Sequence, residues 1–203
     1  MRSILFGLAL LLSTSAMAEP IESQKIITAA TGDFNRDGVT DLVMIVETQP
    51  SDPMDVHFFL GDKEHNYLKP AGVVREQVFG EWNGYDRPGY ENSDTEPELT
   101  VLPNGSMKFY LPAMPQGSER TNQTLTIAWR EGAFIVAGFT YEHDDALKDN
   151  AKSSCDYNVL TGKGKSSKQQ PDGKTVRKTV SVDGAVIPFA EWNTGTGFSA
   201  CGE

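Results

Sequence analysis

Apolar residues along this chain fall in short runs, alternating or continuous, with turn residues between them, and no convincing helical period appears in the main body. Residues 25–29 form a brief apolar strand. After an acidic loop, residues 41–47 carry Leu42, Val43, Met44, Ile45 and Val46 without interruption, a buried strand too short to be a helix. Residues 48–53 are polar with two prolines and read as a connection. Residues 56–60 give the next strand, and Gly61-Asp62 opens a turn. Further on, turn chemistry marks three hairpins. Residues 99–102 and 107–111 flank Asn104-Gly105, where positive φ is cheap. Residues 124–129 and 133–141 flank Arg130-Glu131-Gly132, and residues 176–182 and 185–189 flank Asp183-Gly184. Residues 155–160 turn through Thr161-Gly162 toward another strand.

Consecutive hairpins place neighbouring strands antiparallel. The predicted fold is therefore all-β, an antiparallel meander of hairpins folded into a sandwich or a curled sheet. A hairpin portion occupies residues 99–203.

The N-terminus changes the picture of where the chain works. Arg2, the apolar stretch 4–12 and Ala16-Met17-Ala18 read as an export signal over residues 1–18, leaving one β-rich domain at 19–203. The apolar stretch is too short to span a membrane, so a periplasmic or secreted protein is expected. The net charge of −10 disfavours nucleic acid and anionic lipid, which need clustered Lys and Arg. The two cysteines, Cys155 and Cys201, are expected to form a disulfide in an oxidising compartment. A catalytic thiol is the alternative, without a local Cys-x-x-Cys to favour it.

Chemistry concentrates in one loop. Asp33, Asn35, Asp37 and Asp41 stand at its first, third, fifth and ninth positions, with Gly38 at the sixth for the sharp turn. An all-oxygen set at this spacing suits Ca2+, with the Val39 carbonyl as a further donor. Without a cation, the same residues would form an Asx-rich turn bonded to its own amides. Three carboxylates crowded together repel one another, which favours the ion. Met44 stands where an EF-hand has its bidentate glutamate, and flanking helices are missing, so that motif is disfavoured.

The run from Asp33 to Val43 resembles the calcium loop of FG-GAP (VCBS-type) repeats, Asp-Phe-Asn-x-Asp-Gly-x-x-Asp-Leu. The resemblance extends over residues 25–61 and implies a loop joining two strands of a propeller-like blade, with the acidic positions on calcium. The chain carries one copy, whereas a propeller needs several. Residues 134–141 and 155–163 resemble parts of small exported bacterial proteins that join one such loop to a β-rich tail.

Other features carry less. Trp82, Tyr85 and Tyr90 lie in the polar, acidic segment 81–98, either a recognition loop or rings capping a sheet edge. Residues 163–178 are basic and read as a solvated strand edge. Glu142-His143-Asp144-Asp145 reads as a solvated acidic loop. Glu81 and Glu191 each precede a tryptophan, as paired carboxylates of a glycan hydrolase would need, but nothing in the sequence brings them together. No catalytic residue is assigned. The expectation is a non-catalytic, calcium-stabilised binding or structural module of the envelope or secreted space. Its partner would be another exported protein, such as an envelope hydrolase it inhibits, or a glycan.

Overall fold

A computed structural model describes residues 25–49, 53–78, 97–112, 118–145, 147–148 and 152–202. It is all-β in two antiparallel sheets. The smaller is a four-stranded meander of β1 (Lys25–Gly32), β2 (Asp41–Glu47), β3 (Met54–Asp62) and β4 (Tyr67–Val78). The larger runs through β5 (Glu98–Val101), β6 (Met107–Pro112), β7 (Glu119–Arg130), β8 (Ala133–Asp145), β9 (Ser153–Asn158), β10 (Lys163–Gln169) and β11 (Thr175–Ser181), each beside the next. A two-residue strand β12 (Ile187–Pro188) pairs with the start of β8, and a 3-10 turn (Phe189–Glu191) and helix α1 (Thr194–Cys201) follow.

Alternation puts one face of each sheet into a common core. Val43 and Ile45 of β2, Val56 and Phe58 of β3, Met107 and Phe109 of β6, Leu125 and Ile127 of β7, and Val136 and Phe139 of β8 are all buried there. Phe58 joins the layers. Its ring stacks on Phe134 of β8 at 3.8 Å and lies 6.4 Å from Phe109 and 6.3 Å from Phe189. Burying one such ring contributes about 1.5–3 kcal/mol.

The predicted hairpins at Asn104-Gly105 and Glu131-Gly132 are present. In the second, Glu131 and Gly132 both take positive φ, so the turn spans two residues rather than a longer loop. The third prediction fails. Asp183-Gly184 joins no hairpin: β11 pairs only with β10, and the chain after it crosses the β9–β10 turn to reach β8. Val182 donates to Gly162 O and Ala185 to Val159 O, and a side chain at Gly184 would strike Leu160 O. Those contacts, not the local turn preference, set its path.

Two elements went unpredicted. Strand β4 exposes most of its residues, carries Pro70, and breaks register opposite Phe58–Phe59, so no apolar alternation announces it. Helix α1 contains Thr-Gly-Thr-Gly, poor helix formers. It is held by Asn193, which accepts from Gly195 N at 2.7 Å, and by Gly202 in the left-handed conformation.

Residues 142–145 are the end of strand β8 rather than a loop, because β7 pairs with them from Glu119 to Asn122. Residues 163–178 form most of the β10–β11 hairpin, with β11 at the sheet edge. The Cys155–Cys201 disulfide, Cα atoms 6.0 Å apart, ties α1 to β9. Phe198 of α1 then packs 5.6 Å from Phe139 and 5.1 Å from Tyr141. Reduction is expected to lower unfolding free energy by about 3–4 kcal/mol, the loop-closure value for this span. Equal urea midpoints with and without reductant would contradict that.

Candidate functional site

The loop between β1 and β2 is built on shared amides. Asp37 N–H donates to both Asp33 Oδ1 and Asn35 Oδ1, each at 3.0 Å. Gly38 N–H donates to Asp33 Oδ2 at 2.9 Å, and Val39 N–H to Asp37 Oδ1 at 2.8 Å. The Asn35 side-chain amide reaches Asp37 Oδ2 at 2.9 Å. Gly38, with φ of +83°, makes the reversal that aims these amides inward. Asp33, Asn35 and Asp37 are therefore gathered at one end of the loop, all at least partly open to solvent.

Asp41 does something else. It is fully buried, and accepts from Phe34 N at 2.6 Å and from Gly61 N at 2.8 Å. Burial pushes its carboxyl pKa up and the Asp37 charge adds to this, against lowering by the Gly61, Phe34 and Asn35 amides. The carboxylate thus ties the loop's start to β2 and to the end of β3. Gly61 is required there, since a side chain would strike Val39 and Thr40 O.

The loop also joins the two sheets. Arg36 donates through Nε and Nη2 to Asn104 O, at 3.1 and 2.8 Å, in the β5–β6 turn. Gly105 lies so close to Asp33 O that a Cβ would come within 2.5 Å of it. Phe34 is buried in the common core with its ring 6.5 Å from Phe134. Nothing local in the sequence announces these partners, which lie 68 residues away for Arg36.

Chemically the donors suit a hard cation: three carboxylates, a side-chain amide oxygen and a peptide carbonyl. Asp33 and Asn35 already share one amide, so their oxygens need little gathering. Among the described residues, however, no three His, Cys, Asp or Glu side chains stand close enough to hold a metal between them. Asp41 is engaged by amides.

No known protein family, characterised protein or solved structure gives a match to this chain. No helix among the described residues is long and apolar enough to cross a membrane. Trp82, Tyr85, Tyr90 and Glu81 lie outside the described residues, and Glu191 is exposed in the 3-10 turn.

Next to Gly61, Asp62 organises the β3–β4 turn. Its carboxylate pairs with Lys69 and accepts from the amides of His65 and Glu64, which together hold its pKa far below the ordinary range. At the far end of β8, Lys148 at 2.8 Å, with Ser118 and Leu147 N, depresses Asp145 to about 2. Both carboxyls are depressed below 3.8, so their stabilisation is present above that pH and is lost as pH falls through the folded values. Urea stability is expected to drop between about pH 4 and pH 2, and less steeply in an Asp62→Asn/Asp145→Asn double variant. Parallel curves for the two proteins would contradict this.

Proposed function

We propose that the protein is an exported, non-catalytic binding or structural module stabilised by calcium at the 33–41 loop. The supporting observation is the gathering of the Asp33, Asn35 and Asp37 oxygens in the loop that spans the two sheets. Asp33, Asn35 and Asp37, with the Val39 carbonyl, would hold the ion; Asp41, expected as a fourth side-chain ligand, is instead buried and held by the Phe34 and Gly61 amides. The ion would neutralise carboxylates that otherwise repel one another, at a joint where Arg36 and Gly105 bring the larger sheet against the loop. The role is structural, because the loop's contacts belong to the packing of the sheets. The disulfide agrees with an oxidising compartment outside the cytoplasm.

The affinity expected of an extracellular module is about 0.1–1 mM. At about 100 times the dissociation constant, binding stabilises the folded state by about 2.7 kcal/mol. A thermal melt in 10 mM calcium should therefore exceed one in chelator by several degrees, and Asp37→Ala should abolish the difference. A melt indifferent to calcium would reduce the loop to an Asx-rich turn and overturn the proposal. A calcium shift retained in Asp37→Ala would place the ion elsewhere.

A further inference from the structure

The two sheets leave four edge strands, and three of them are blunted. Strand β5 has four residues and lies against β1. Strand β1 breaks register between Ile26 and Thr28, while β4 carries Pro70 and two register breaks. Short length, prolines and breaks of register all discourage a further strand. β11 has none of these. It pairs with β10 from Thr175 to Ser181 without a shift, and every residue of it but Val180 is exposed.

The bonding pattern of the ladder fixes which backbone groups face outward. Gln170 N–H donates to Lys174 O and Val182 N–H to Gly162 O, at the two ends of the β10–β11 hairpin and in its register. Gln169 N–H points the other way, to Lys152 O beside β9. Bonded pairs recur at every second residue, so Thr175, Arg177, Thr179 and Ser181 aim N–H and C=O away from β10. These groups bond to nothing else among the described residues.

This edge is also the basic part of an acidic protein. Residues 163–181 hold six Lys and Arg against one acidic residue, Asp172, in a chain of net charge −10. Asp172 is taken by Lys174 at 3.0 Å. Arg177 and Lys178 project from opposite faces of β11, both exposed, and neither forms an ion pair among the described residues. Like charges set opposite each other are destabilising, so two copies of this edge repel. An acidic strand meets the opposite condition.

We infer that β11 accepts an added antiparallel strand, an extended acidic segment of another protein with two consecutive carboxylates opposite Arg177 and Lys178. Main-chain bonds to Thr175, Arg177, Thr179 and Ser181 hold the segment, and the two charge pairs select it. Val176 lies on the same face as Lys178 and is 42% exposed, so an apolar neighbour would cover it. The inference is independent of calcium at the 33–41 loop.

The test is amide exchange by NMR with the capped peptide Thr-Val-Thr-Glu-Glu-Val-Thr as probe. Exchange at Arg177 and Thr179 is expected to be fast in the free protein and to slow at least about tenfold with peptide bound. Glutamines in place of both glutamates, or Arg177→Glu/Lys178→Glu in the protein, should weaken binding about tenfold, the worth of two charged cross-strand pairs. Both residues are exposed, so an unchanged thermal melt will verify that the variant is folded. Slow exchange at these amides in the free protein would show the edge already covered, by the chain itself or by a second copy, and would overturn the inference. Peptide binding without slowed exchange, equal binding of the glutamine peptide, or tighter binding of dextran sulfate than of the peptide would overturn it too. So would no binding at about 1 mM peptide.

Discussion

A single buried carboxylate holds the loop and the smaller sheet in register. Asp41 begins β2, yet its two oxygens are taken by Phe34 N in the loop and Gly61 N at the end of β3. Desolvation makes burying this charge costly, and the amides that surround it offset part of that cost. Phe34 can enter the core only because its own amide is satisfied in this way. From there the arrangement propagates. Phe34 meets Phe134, Phe134 stacks on Phe58, and Phe58 reaches Phe109 and Phe189. Arg36 and Gly105 close the same joint from outside.

This explains why an oxygen-rich loop stands where the sheets meet. Asp33, Asn35 and Asp37 face outward and use the loop's amides, while Asp41 faces inward and uses amides of the sheet. A cation bound among the outer three would act on the same joint that Asp41 secures. The loop thereby adds its contacts to those that Phe58 makes between the two sheets through the common core. The C-terminal helix makes a separate attachment, through the disulfide and Phe198, on the other flank of the larger sheet.

How much of this was legible depended on how local the cause was. The β2 bounds were readable because five apolar residues lie between an acidic loop and a proline-rich connection. The turns at Asn104-Gly105 and Glu131-Gly132 declared their hairpins, since few residues accept positive φ. Asp183-Gly184 carried the same local signal and misled, because its neighbours bond to Gly162 and Val159. Strand β4, an exposed edge interrupted by Pro70, and α1, eight residues with two glycines, carry almost no pattern of their own. In the loop, the spacing singled out Asp33, Asn35, Asp37 and Asp41, and the fold gathers the first three of them. The burial of Asp41 against Gly61, and the docking of Arg36 on Asn104, are long-range and had no trace in the sequence.

The most direct measurement is native-state hydrogen exchange at the Phe34 and Gly61 amides, followed over increasing sub-denaturing urea. If Asp41 holds the joint of the fold, both amides exchange only through global unfolding, with the same opening free energy as the paired amides of β2 and β3. Exchange at either amide through a local opening, with a lower free energy insensitive to urea, would show that the sheets hold together without this carboxylate.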